Sequence, residues 1–377
     1  MKFDVVIVGG GPAAATAALC LRRFGHSVGV IAAPRSKLKP TETAKPQLRL
    51  LLRDVGAESA MTCCEPCRGI FSDWGLESPS FNPSILNPFG NAWFIDRNKF
   101  DSHLEKLAKE CGADWIDSIA NDAHFEKDSI TVKTDSATVS GKWLVIANGS
   151  LHWAGRVTKQ TVIVKDSLIA SWSLLNATLP ERCLSTETCD SGWWYMCPNA
   201  DGRAVACFVT DVENNRRLKP FNTAQWNKLF LQTRLSRMIV NFQPAASAMA
   251  LRTGLAGLPL RHGRNWAAIG DAAAVLDPLG SSGTATAIES ATRASAAIEA
   301  ALRGDETKLE LYGEWSQSMF HAFSKQRAAH YKSESVLRSS AFWNRRAAIE
   351  AGLRRPPEPT GNEKVFSNFN SAHAAAA

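Results

Sequence analysis

Apolar positions along the chain fall into two rhythms. Short uninterrupted runs at 5–8, 27–32, 130–134, 143–147 and 266–269 are too short for helices, and several end in glycine; they predict buried strands. Over 96–110 the rhythm changes: Phe100, Leu104 and Leu107 recur at i, i+4 and i+7 and predict an amphipathic helix. Further helices are predicted at 16–24, 47–54, 222–240 and 283–302, with others filling 306–350. Residues 36–48 read as a basic, proline-punctuated loop. Strands and loops are predicted at 69–95, and strands with turns from 158 to 210, including 192–198 and 204–209. The sequence beyond Pro356 has no periodicity and predicts disorder, and no internal repeat is visible. Short apolar strands alternating with helices predict an α/β fold with a parallel sheet.

The 377 residues suit two domains sharing a core, and 45% hydrophobic with 21% charged is ordinary for a globular protein. The net charge of +7 comes from scattered Lys and Arg, so no nucleic-acid partner is expected; an acidic partner or a solvated surface fits as well. Nine cysteines in a chain this long do not form a secreted disulfide framework. Cys63, Cys64 and Cys67 include a C-x-x-C, but Cys183 and Cys189 make a poor second pair, so reduced thiols and no metal are expected. The first strand begins at once, without a leader pattern, and no apolar stretch reaches spanning length. A cytoplasmic protein without membrane contact is the expectation.

Two stretches carry chemistry. After the first strand, Gly9, Gly11 and Ala14 occupy G-x-G-x-x-A positions, with Pro12 and Ala13 opening a helix. Such a turn lets a pyrophosphate approach the backbone and meet free N–H groups at a helix start. The usual acid after the second strand is missing: Ala32, Ala33 and Pro34 stand there, with Arg35 and Lys37 as possible substitutes. Some 260 residues on (AIGDAAAVLDPLGSSG), Gly270 permits close approach and Asp271 is an acceptor for sugar hydroxyls. Pro278, Gly280, Ser281, Ser282 and Gly283 then open a second helix whose N–H groups can meet an electron-rich ring edge.

The two motifs together resemble those of FAD-dependent monooxygenases of the aromatic hydroxylase and tryptophan halogenase superfamily. The resemblance implies FAD as cofactor, with Asp271 on the ribityl chain and the Pro278–Gly283 loop beside the isoalloxazine. Asp96-Arg97 with Phe100-Asp101 is similar to a helix start whose arginine approaches the FAD, and Glu42 lies in a loop resembling one near the flavin. Ala147-Asn148-Gly149 with Trp153 and Arg156 resembles a strand end where hydroxylases often carry an acid; Asn148 there speaks against direct NAD(P)H use. The implied electron source is a separate flavin reductase or NAD(P)H, and the oxidant is molecular oxygen.

Residues 193–198 (WWYMCP) are similar to a halogenase W-x-W-x-I-P, but Tyr195 and Cys197 depart from it, and the stretch 67–74 lacks the halogenase lysine. Trp193 and Tyr195 are candidate substrate-lining residues. The run Arg327, Tyr331, Glu334 and 342–346 (FWNRR) resembles a subgroup that hydroxylates tryptophan within a protein or peptide and matures tryptophylquinone enzymes. No catalytic acid or base is assigned; His152, His321 and His330 are candidates but read better as surface or hydrogen-bonding residues.

The implied fold is a Rossmann-like, p-hydroxybenzoate hydroxylase-like FAD domain with an inserted β-sheet substrate domain and C-terminal helices. Its parts are 1–70, 96–156 and 255–305 for FAD, 71–95 and 157–254 for substrate, 306–350 for the helices and 351–377 for a disordered tail. The implied function is hydroxylation of tryptophan in a precursor protein or peptide. A small-molecule aromatic hydroxylase, a flavin halogenase and a non-enzymatic maturation chaperone are the alternatives.

Overall fold

Val5 and Ile7 point to one side of the first strand, Lys2–Val8, and Val6 and Val8 to the other, and all four are buried. A strand covered on both faces belongs to the middle of a parallel sheet. It lies between Val28–Ala32 and Thr138–Ile146, both parallel to it. Asp114–Asp117 extends the sheet beyond Val28–Ala32, and Trp266–Ala268 extends it beyond Thr138–Ile146. Ala120–Phe125, Ile130–Thr134 and Thr138–Ile146 form an antiparallel meander that covers one face. Helices Pro12–Arg23 and Gly283–Leu302 cover the other, meeting through Ala14, Ala17, Ala18, Ala291, Ala294 and Ala297, whose small side chains allow close approach. The computed structural model describes residues 1–34, 39–74, 79–179 and 181–350. Arg35, Lys37 and the tail 351–377 lie outside the described residues.

A second, nine-stranded sheet is built around the sixteen-residue strand Ile163–Thr178. Ala204–Asp211 and Met249–Gly257 flank that strand, and Gly192–Pro198, Leu184–Cys189, Gly69–Asp73 and Ser80–Pro83 follow outward. All of these pairs are antiparallel except Leu184–Cys189 with Gly69–Asp73. Glu42–Ala44, Ala92–Ile95 and Cys64–Cys67 form a small third sheet. Ala92–Ile95, expected with the substrate part, therefore pairs with strands expected in the FAD part, while Gly69–Asp73 and Met249–Gly257 belong to the second sheet. Helices Thr307–Leu337 and Ala341–Glu350 close the chain.

Several predicted elements shift for local reasons. The first helix begins at Pro12, not at 16, because proline is well suited to the first helical position. The loop predicted over 36–48 contains the strand Glu42–Ala44. The helix predicted over 222–240 stops at Phe230. There, Thr233 Oγ1 donates to the Phe230 carbonyl at 2.7 Å and accepts from the Ser236 amide at 3.1 Å, replacing helical bonds. Helix Leu151–Thr158 went unpredicted; Ser150 caps it and Lys159 ends it at φ 55°. No helix among the described residues is long and apolar enough to cross a membrane, and none of their His, Cys, Asp and Glu side chains form a group that could hold a metal.

Candidate active site

The first turn and the distant Gly-Asp motif meet. A Cβ on Gly9, at φ 134°, would lie 2.2 Å from the Ala147 carbonyl oxygen, so only glycine lets the turn cross the end of the neighbouring strand. Gly270, at φ 55°, sits where a Cβ would come 3.2 Å from Ala13 Cβ, which joins the two motifs in space. Between them opens a cleft of about 530 Å³. Gly9, Gly11, Pro12, Ala13, Glu42, Arg97, Asp271 and Gly283 all line it. Ala14 is fully buried behind the wall, where its small side chain lets helix and sheet approach.

Two helix starts face this cleft. Gly11 caps Pro12–Arg23 and Ser282 caps Gly283–Leu302, and neither supplies a side-chain hydrogen bond to the exposed amides. Nothing lies within 4 Å of where a Cβ on Gly11 or Gly283 would be. Uncapped N–H groups, a positive dipole end and open space suit phosphate or another electron-rich group. Ser281 holds a left-handed φ of 45°, uncommon for a residue with a side chain, and its hydroxyl lies 2.7 Å from Thr43 Oγ1. That contact ties the Pro278–Gly280 turn to the Glu42–Ala44 strand. Ser282 Oγ donates to the Gly280 carbonyl at 2.9 Å, and a Cβ on Gly280 would lie 2.4 Å from the Phe323 ring. Pro278, Gly280, Ser281 and Ser282 do not line the cleft; they form the turn that leads into Gly283, which does.

The cleft holds an ordered charge array. Arg97 follows Asp96, whose carboxylate accepts from the Asn98 and Lys99 amides at 3.2 Å and caps helix Arg97–Glu110. The Arg97 guanidinium bridges Glu42 at 2.5 Å and Asp101 at 2.9 Å. Lys39 reaches the same Asp101 at 2.6 Å. Burial pushes the Asp101 carboxyl up, but Arg97 and Lys39 outweigh it and hold it below the ordinary carboxylate range. Thr284 Oγ1 donates to Glu42 at 3.3 Å. Asp271 has no such partner: it is open to the cleft and makes no hydrogen bond among the described residues. Enclosure by the surrounding protein pushes its carboxyl up to about 6, with Glu42 adding to the shift and Arg97 opposing it. An acceptor without donors, aimed into an open cleft, fits the hydroxyls of a sugar-alcohol chain.

Trp193 and Tyr195 lie in the second sheet. Trp193 is fully buried and donates its indole N–H to Tyr331 Oη at 3.0 Å; the half-buried Tyr195 ring lies 5.8 Å from it. Trp74 packs edge-on against Trp193, Tyr331 and Trp343 at 5.4–5.8 Å. Below this cluster runs a buried ion chain that sequence reasoning missed. Asp277 caps the Pro278–Gly280 turn, accepts from Arg327 Nε at 2.6 Å and accepts from Tyr331 at 3.0 Å. Arg327 also bridges Asp166, which Arg346 reaches at 3.2 Å. Burial raises the Asp166 carboxyl, and the two arginines more than reverse it. Arg327, Tyr331 and the 342–346 run were visible in the sequence; their partners, far off along the chain, were not. His152, His321 and His330 are exposed and away from the cleft. The nine cysteines are free thiols, and burial pushes Cys64 up to about 12.

Fold and cleft together define a dinucleotide-binding flavoprotein. The chain belongs to the FAD binding domain family, which it matches over residues 2–322. FAD is its cofactor, and it is an FAD-dependent oxidoreductase with the fold of the aromatic hydroxylases and halogenases, as the sequence resemblance implied. LodB of Marinomonas mediterranea, an FAD-dependent oxidoreductase by name, is 24% identical over 389 positions, covering 93% of this chain and 98% of its own. The peptidyl tryptophan dihydroxylase QhpG superposes with a TM-score of 0.76 at 21% identity, over 92% of this chain and 79% of its own. The myxobacterial halogenase CndH superposes at 0.80 and 20% identity, over 100% and 91%. Hydroxylase and halogenase are equally near by fold.

Proposed function

We propose that this oxidoreductase is a monooxygenase that hydroxylates a tryptophan side chain carried by a precursor protein or peptide. The observation that carries this reading is the place of the C-terminal run. Arg327, Tyr331, Trp343 and Arg346 supply the resemblance to peptide-directed tryptophan hydroxylases, and they close with Asp166, Asp277 and Trp193 into one buried assembly at the foot of the Pro278–Gly280 turn. One similar protein points the same way: QhpG is a peptidyl tryptophan dihydroxylase essential for tryptophylquinone cofactor biogenesis. Against a halogenase, strand Gly69–Asp73 and its flanks carry no lysine.

Reduced FAD supplies the electrons that activate molecular oxygen for transfer. The chain's residues position it. Gly9, Gly11 and Ala13 would bring backbone N–H groups to the pyrophosphate, with Pro12 fixing the first turn of the helix without an N–H of its own; Asp271 would accept from the ribityl hydroxyls, and Gly283 with the turn at 278–282 would border the ring system. Arg97, fixed between Glu42 and Asp101, supplies a stationary positive charge in the cleft. Tyr195, half-buried beside Trp193, is the residue assigned to the substrate, and Tyr331 fixes Trp193 through its indole N–H. The first sheet with its helices serves FAD and the second sheet serves the substrate. Asn148, lining the cleft in place of an acid, favours reduction by a separate flavin reductase over direct NAD(P)H use.

The CndH superposition supports a second reading as a halogenase, and a small-molecule hydroxylase is the third. Turnover in bromide buffer with reduced flavin and oxygen, followed by product mass spectrometry, separates them. Products with added oxygen and no bromine are expected; a brominated indole overturns the hydroxylase reading.

A further inference from the structure

The cleft continues into a second lobe of about 540 Å³, entered past Gly10, Ala33 and Pro34, which line both. This is the end of the first sheet where a dinucleotide fold usually supplies an acid for the adenosine ribose from the tip of the second strand. Here that tip is Ala32, Ala33 and Pro34. The adjacent strand makes up the deficit. Asp117 ends Asp114–Asp117 and stands directly opposite Ala32 in a parallel ladder, which continues one residue further through the Ser118 amide to the Ala32 carbonyl at 3.0 Å. Neighbouring strands lie about 4.8 Å apart, so a side chain there starts one strand-width from the customary position.

Its direction follows from the alternation of the strand. Trp115, two residues earlier, packs on the helix-covered face, while Ile116 packs on the meander face, so Asp117 shares the face of Trp115. Val28 and Val30 place Ala32 on that same face. The lobe begins at the phosphate turn: a Cβ on Gly10 would lie 2.9 Å from Ala32 Cβ and 3.7 Å from the Trp115 ring. Other charged residues of the lobe pair on helix Arg97–Glu110, Lys109 with Glu105 at 2.6 Å and Lys106 with Glu110 at 3.7 Å. Asp117 makes no hydrogen bond or ion pair among the described residues.

We propose that Asp117 binds the ribose hydroxyls of the adenosine half of FAD, taking over from the strand beside it the role of the absent second-strand acid. This rests on the FAD reading of the main cleft. Its test is binding to the flavin-free protein, measured by flavin fluorescence for FAD and FMN and by calorimetry for ADP. Asp117→Asn and Asp117→Ala are expected to lower affinity for FAD and ADP roughly tenfold or more, the effect of a lost charged hydrogen bond, and to leave FMN, which lacks the adenosine, unchanged. Unchanged FAD and ADP affinity in folded variants overturns the proposal, as does an equal loss for FMN. A wild-type chain that binds neither FAD nor ADP overturns the flavin reading itself, and this assignment with it.

Discussion

Asp271 is the residue whose chemistry is most directly exposed to test. Its carboxyl, raised to about 6, lacks donors among the described residues, and the hydroxyls of a bound ribityl chain would favour its ionised form. The sign follows: above about pH 6 the carboxylate is ready, while below it FAD binding must expel a proton. FAD affinity is therefore expected to fall as pH drops from 7 toward 4.5, and Asp271→Asn to bind more weakly at pH 7 but with a flatter profile. Titrations at four pH values check this; a parallel slope in the variant contradicts it. Arg97, Glu42 and Asp271 were legible in the sequence because each sits in a short motif. Asp277 was not, because its meaning lies in Arg327 and Tyr331, some fifty residues on and in another element.

Elements were legible where one face decides them. Phe100, Leu104 and Leu107 placed Arg97–Glu110 to within a residue, and Gly283–Leu302 emerged with its predicted bounds. Asp114–Asp117 and Ala120–Phe125 were missed because their alternation is diluted by polar residues at the sheet margin. Two substitutions test what joins elements. Gly9→Ala places a methyl on the Ala147 carbonyl and is expected to lower the thermal midpoint and FAD occupancy together. Arg327→Met strips Asp277 and Asp166 of a shared buried cation, and denaturant unfolding should show a loss of about 3–5 kcal/mol. A loss below about 1 kcal/mol in that variant would mean that the ion chain contributes only as much as a surface pair.

At the scale of the whole molecule, the central strands of the first sheet could be read from sequence because parallel strands buried on both faces leave uninterrupted apolar runs. The order of the second sheet could not. Ile163–Thr178 pairs with Ala204–Asp211 and Met249–Gly257, and Leu184–Cys189 with Gly69–Asp73, partners that no local pattern selects. Asp101, within the FAD part, and Asp166, which joins the second sheet to the C-terminal helices, are both held below the ordinary carboxylate range by arginines. Their lowered folded values mean a contribution to stability that is full above the unfolded carboxylate range and lost as pH falls through them. The thermal midpoint should hold from pH 7 to 5 and drop below about pH 4. The central claim is oxygen insertion into a tryptophan that belongs to a polypeptide. It is tested most directly by supplying the reduced holoprotein with ¹⁸O-labelled oxygen and either free tryptophan or an unprocessed tryptophylquinone-enzyme precursor, then weighing both products. One or two labelled oxygens on a tryptophan of the precursor, with little or none on the free amino acid, is the expected result; efficient labelling of free tryptophan with none on the precursor contradicts it.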